Sequence, residues 1–283
     1  VAIQLLMTVP PVMHPTSPPT YCLPATVPET VTSVGENLFS MCEGLNKLVY
    51  NARTETVPPQ LCLGCINLID IRLADGYSRI ETDAFFDCSA FSEIRIPSGV
   101  TVIEETAFAY CYALERVELP RTLREIGYGA FYENQYLSEI DIPSGVREIG
   151  ELAFFACIRL ESIELSRVER IGIGAFNGCE VLSSVDLSSL QRSVSKNSFQ
   201  NCDMLSSVKL PDGLTLIGES AFMNCLSLEK IDLPRSLEAI NPAAFAGCTS
   251  LTEIGFNSAL TEIGERAFYC CTALEAVSLP RSV

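Results

Sequence analysis

Phenylalanine recurs along this chain at 39, 85, 108, 131, 154, 176, 199, 222, 245 and 268. The step is 23 residues, apart from a double step between Phe39 and Phe85 with Cys62 at its midpoint, and a 22-residue step from Phe154 to Phe176. A fixed period over nearly a whole chain means that one short unit is stacked on copies of itself, with neighbours burying each other's apolar faces. Eleven such repeats run from about Val27 to Pro280. The chain therefore reads as a solenoid.

Each column of the repeat has a physical reading. An apolar residue stands six places after every Phe position, from Leu45 to Leu274. Nine and eleven places after it come pairs such as Ile94/Ile96, Ile140/Ile142 and Ile231/Leu233. That alternation marks a short strand with one face inward. Proline follows the strand at 97, 120, 143, 211, 234 and 280 and ends the ladder, because it has no N–H to give. A second aliphatic stands five residues before each Phe position, and Ala-Phe-x-x-Cys then suits a single helical or 3₁₀ turn.

Composition narrows the chemistry. With 19 basic and 35 acidic residues the chain carries −16, a poor match to nucleic acid or an anionic membrane. His14 is the one histidine and tryptophan is absent, which removes histidine triads and multi-histidine metal sites. No apolar run reaches the roughly 18 residues needed to span a bilayer. The opening VAIQLLMTV looks like part of a signal segment without its basic start or cleavage site. Residues 1–26 are expected to form a Pro-rich leader or cap, and residues 27–283 a single solenoid.

The motif AFxxCxxLxxIxLPxxVxxIG resembles that of the BspA-like, or Treponema pallidum type, leucine-rich repeat. The resemblance covers residues 27–283 and implies an α/β architecture: a right-handed superhelix with a parallel sheet on the concave face and short helical turns on the convex face. Departures are Cys62 for Phe, Asn134 for Cys, Ser166, Ser188 and Asn257 for Pro, and the residue lost near Arg167. The resemblance also implies a secreted or surface protein of the kind that adheres to host matrix proteins or other cells.

Thirteen cysteines would suggest a disulfide framework, but ten of them (42, 65, 88, 111, 157, 179, 202, 225, 248 and 271) stand three places after the Phe column. Parallel side chains on rungs roughly 4.8 Å apart keep their Cβ atoms beyond the ~3.8 Å of a relaxed bridge. Buried reduced thiols acting as small hydrophobes are the expectation. Cys62 and Cys65 form a CxxC in which both residues occupy template columns, so packing is preferred to redox or zinc chemistry. Cys22 is the thiol expected to react. The glycines of Ile171–Gly178 imitate a dinucleotide loop, yet the same columns read IGYGAFYE at 126–133, so they are turn residues of the repeat.

Function is therefore sought on the outward strand positions, eight and ten places after each Phe. The second column carries Arg72, Arg95, Glu118, Asp141, Glu164, Asp186, Lys209 and Asp232, and the first includes Arg116 and Glu139. Four carboxylates in successive rungs (Glu118, Asp141, Glu164, Asp186) should repel one another, with Arg116 offsetting part of the cost. They read either as a stripe for a basic partner or Ca²⁺, or as the solvated face of an acidic protein, the plainer and preferred account. An open sheet supplies no pocket for a glycosidase carboxylate pair. No cofactor is called for. The expected function is a non-enzymatic scaffold binding a protein or peptide on its concave face. The alternative is a spacer displaying a domain encoded elsewhere. The last rung, with Phe268, Leu274, Val277 and Leu279, lacks a polar cap and breaks off in a twelfth repeat, so a natural continuation, or self-association through that end, is expected.

Overall fold

The computed structural model describes residues 23–283, so Cys22 lies outside the described residues. It is a parallel β-solenoid of about ten turns. The expected strands line up in a first row, an interrupted ladder in which Leu45–Tyr50 and Asp70–Leu73 pair with each other and Glu93–Arg95, Arg116–Glu118 and Glu139–Ile140 form a separate sheet. A further strand, Leu23–Val27, pairs with Leu45–Tyr50 at the front. Partners lie one repeat apart, as in Glu93↔Arg116 and Arg95↔Glu118. A second parallel ladder uses the aliphatic before each Phe, from Thr56–Val57 to Arg170–Ile171 and again from Ser193–Val194 to Glu262–Ile263.

The turn after the second ladder corrects the helical expectation. Among the described residues no helix forms, and the architecture is all-β. The reason is conformational. In every repeat the residues two before and two after the Phe position have positive φ, and every described non-glycine residue with positive φ falls in one of these two columns. A left-handed residue on each side of the Phe stops helix propagation. The amides of three alternate residues then point along the solenoid to the next rung. Asp83, Phe85 and Asp87 donate to the carbonyls of Glu105, Ala107 and Ala109 at 3.1, 2.8 and 2.9 Å. The result is a wall of stacked turns, hydrogen-bonded rung to rung.

Gly174 and Gly178 occupy these columns in one repeat, but Leu152 and Ala156 hold them in the preceding one at φ of 55° each. The left-handed region costs a side-chain-bearing residue about 1–2 kcal/mol and glycine nothing comparable. Ala156→Gly is thus expected to stabilise the fold by about 1 kcal/mol, against the usual sign, and Gly178→Ala to destabilise it by a similar amount. Denaturant midpoints would measure both; equal signs for the two changes would contradict the account.

One core runs through the stack, from Val27 to Cys271. From Phe85 to Phe268 the rings stack face to face, with centroids 5.3–5.7 Å apart and planes within 3–11° of parallel. Strands in a ladder lie closer, at about 4.8 Å. The excess over the rung spacing is the lateral offset of stacked rings. Pairing in both ladders lapses near the 22-residue repeat, as it does in the first ladder between Asp70–Leu73 and Glu93–Arg95 and between Ser207–Lys209 and Lys230–Ile231. The first thins to a single bridge between Glu139 and Ser162, and the second ends at Arg170–Ile171 before resuming at Ser193–Val194. The turn wall does not break there: Phe154 still donates to Ala175 at 2.8 Å, and its ring stacks on Phe176 at 5.3 Å. Leu165, Val168 and Ile171 stay buried.

Candidate functional site

Along each first-ladder strand the pleat sends Ile94, Val117, Ile140 and Val185 into the core and their neighbours to solvent. Arg72, Arg95, Arg116, Glu118, Glu139, Asp141, Glu164, Lys209 and Asp232 are exposed and Asp186 half-buried, all on this one face. Two of the shallow hollows on it lie toward the N-terminal side and the middle, with a third near Lys209 and Asp232. One of about 500 Å³ is lined by Asp70, Arg72, Glu93, Arg95, Arg116 and Glu118. The other, of about 520 Å³, is lined chiefly by Glu139, Asp141, Ser162, Glu164 and Ser184.

The ten residues do not behave alike. On the N-terminal side Asp70 takes Lys47 at 2.6 Å and Arg72 at 3.3 Å. The hydrogen bond from Lys47, aided by Arg72, holds its carboxyl below the usual range. Arg95 reaches Asp75 at 3.5 Å, a loop residue that no strand pattern would flag.

The acidic stripe itself divides according to the residue two places beyond each carboxylate. Ser166 and Ser188 stand where other repeats have proline, and each has an N–H needing an acceptor at the strand exit. Glu164 accepts from Ser166 N–H at 2.7 Å and Asp186 from Ser188 N–H at 2.9 Å. These bonds from Ser166 draw the Glu164 carboxyl below its usual range. At Asp186 burial pulls the other way, but Lys209, at 2.8 Å, and Ser188 outweigh it and the carboxyl is held down. Glu118 and Asp141 precede Pro120 and Pro143, which offer no N–H. Among the described residues they and Glu139 join no ion pair, nor does Arg116, while Asp232 takes Lys230 at 3.7 Å. The stripe of four thus becomes two occupied carboxylates and a free group of Glu118, Glu139 and Asp141.

The cysteine column lies on the opposite side of the core. All described cysteines are free thiols, and nine of the ten column positions are buried; Cys42, in the first repeat, is exposed, and so is Cys270 outside the column. Each buried column thiol donates to the carbonyl of the Phe-column residue one rung earlier, as Cys111 does to Phe85 at 3.2 Å and Cys157 to Phe131 at 3.3 Å. Asn134 continues the row through Nδ2, 3.0 Å from the Phe108 carbonyl, and leaves its buried Oδ1 without a partner. Burial pushes these thiols up, Cys248 to about 12 and Cys111 further, except Cys65, which its hydrogen bond with Cys62 draws down. Cys62, in the CxxC, is raised by its neighbour Cys65 and by burial. A raised thiol pKa leaves almost no thiolate at neutral pH. Native protein should therefore show only the exposed thiols, Cys42 and Cys270 among those described, to a bulky thiol reagent, and the column only after denaturation. Native reaction of the whole column would contradict this.

The family profile described as the BspA type leucine-rich repeat region, in six copies, matches residues 24–135, 55–183, 101–229 and 169–283. No curated protein matches the chain. Among solved structures, a leucine-rich cell-surface protein from Faecalibacterium prausnitzii is 32% identical, with a TM-score of 0.56 over 88% of this chain and 77% of that one. A leucine-rich repeat protein from Bacteroides ovatus is 28% identical, with a TM-score of 0.50 over 89% and 83% respectively. The T. pallidum leucine-rich repeat protein is 31% identical, with a TM-score of 0.51 over 54% of this chain and 72% of its own.

Proposed function

From the premise that this chain belongs to the BspA-type leucine-rich repeat family, we propose that it is a non-enzymatic scaffold at the cell surface that binds a protein partner on its concave strand face. The cell-surface relative from Faecalibacterium prausnitzii supports the location. The observation that carries the binding reading is the free group of Glu118, Glu139 and Asp141, exposed on consecutive rungs and engaged by no cation of the chain among the described residues. Like charges at strand spacing repel and gain by meeting positive charge. A basic segment lying across these rungs meets that need, with an acidic flank toward Arg72, Arg95 and Arg116. Residues 27–283 act as one unit in this reading.

The test is capture of surface or matrix proteins by immobilised protein, followed by affinity measurement at two salt concentrations. Glu139→Lys with Asp141→Lys should weaken binding at least tenfold and flatten its salt dependence. Asp186→Asn, whose carboxylate is already engaged, should change affinity little. Binding indifferent to the double charge reversal would overturn the assignment of this face.

A further inference from the structure

The turn wall carries a second surface, independent of the strand face. Four rungs place a ring just after the Phe position: Tyr269 in the last repeat, and Phe86, Tyr132 and Phe155 close together along the array. The intervening rung has Ala109, and the gap is filled from the next column by Tyr110. The rings form a continuous chain. Phe86 meets Tyr110 at 5.1 Å and 65°, Tyr110 meets Tyr132 at 5.3 Å and 59°, and Tyr132 stacks on Phe155 at 4.8 Å and 7°. Tyr112 joins Tyr110 edge-on at 5.9 Å and is 36% exposed. The other four rings are half-buried.

Two carboxylates frame this cluster. The column two after the Phe reads Asp87, Tyr110, Glu133 on successive rungs, so the central tyrosine has an acid on each side. Both are close enough to push the Tyr110 and Tyr112 hydroxyls up, adding to the larger effect of burial. Neither Asp87 nor Glu133 joins an ion pair among the described residues, and burial raises the Asp87 carboxyl, the mark of an acid without a counter-charge. Aromatic faces rimmed by unpaired carboxylates attract a cation twice over, through the ring quadrupole and through charge. Guanidinium fits best, because it is planar, weakly hydrated and stacks on rings while donating to carboxylates. The chain shows the same mode internally: Arg159 lies over the Tyr136 ring at 4.1 Å. No such arginine covers Tyr110, Tyr112 or Tyr132 among the described residues.

We propose that the ring chain Phe86–Tyr110–Tyr132 with Asp87 and Glu133 is a docking surface for an arginine-bearing segment of a protein partner, separate from the strand face. The test is calorimetric titration of the full chain with a blocked Arg-Gly-Arg-Gly-Arg peptide, using matched lysine and citrulline peptides as comparisons. The arginine peptide should bind most tightly, lysine more weakly and citrulline not measurably. Tyr110→Asn keeps a residue that tolerates positive φ and should weaken binding about tenfold; Asp87→Asn with Glu133→Gln leaves the rings intact and should weaken it several-fold. Glu139→Gln with Asp141→Asn, on the strand face, should remove at most a weaker second site and leave the turn-wall site titrating as before. Absence of arginine-peptide binding to the unaltered chain would overturn the proposal. So would binding that survives the turn-wall changes and is lost with the strand-face pair, an outcome that would leave the concave-face reading standing.

Discussion

Phe154→Ala is expected to cost about 3–5 kcal/mol, the range for emptying a large aromatic site in a packed core. The ring is fully buried and stacked on Phe131 and Phe176, each at 5.3 Å. Truncation removes both contacts and leaves a void between two rungs that the rigid turn wall holds apart. Because each rung contacts only its neighbours, the damage should also divide the array: denaturant unfolding should lose cooperativity and give a shallower transition. Phe268, in the last complete repeat and only half-buried, stacks on Phe245 at 5.5 Å. Phe268→Ala should cost markedly less and leave the slope unchanged. Equal losses for the two would show that stacking along the axis is not what holds the rings.

Gly150→Ala should be among the most damaging single methyls in the protein, at the upper end of the ~1–3 kcal/mol typical of overpacking or beyond it. A Cβ on Gly150 would lie 2.5 Å from the Gly127 carbonyl carbon, 2.6 Å from its oxygen and 2.7 Å from the Tyr128 nitrogen, all backbone. Gly172 faces Gly150 and Glu151 in the same way. These glycines let consecutive rungs close up where the second ladder meets the turn, and nothing there can swing aside. Gly213 has open space around its missing Cβ and no positive φ. Gly213→Ala should be neutral or slightly stabilising by a few tenths of a kcal/mol. Thermal melts of the two variants side by side would check the contrast.

The period, the core columns and the first ladder were legible because burial imposes them on residue type at every repeat. Leu, Ile and Phe recur where side chains must be apolar, and the buried residues fall in those columns. The turn wall was not legible. Its backbone is fixed by left-handed residues as unlike as Asp83, Thr106, Leu152 and Arg266, so no residue type announces it, and Ala-Phe-x-x-Cys spacing reads equally well as helix. The close-packed glycines read simply as turn residues, since sequence cannot separate a glycine that needs positive φ from one that must lack a Cβ. Within the candidate site, exposure followed from strand alternation. The division of the acidic stripe turned on Ser166 and Ser188 in place of proline, a signal present in the chain but carried by the backbone N–H, which a reading of side chains passes over. The pairing of Arg95 with Asp75 depended on a loop conformation and had no signal at all.

The peptide units of the turn wall share one direction. The peptide joining Ala84 to Phe85 accepts from Cys62 through its carbonyl and donates to Ala107 through its N–H, and the peptides above and below do the same. In an extended ladder neighbouring carbonyls alternate in direction and their dipoles largely cancel. Here three rows of peptide units all point one way, as in a helix, and such chains polarise one another. The turn wall therefore carries an electrostatic axis of its own, with amide hydrogens facing the high-numbered end, while rows on the ladder sides, such as Gly127 N–H to Ile103 and Ser138 N–H to Glu115, run the other way. Any stacking that continued these rows would have to be head-to-tail, because two like ends would set donor against donor.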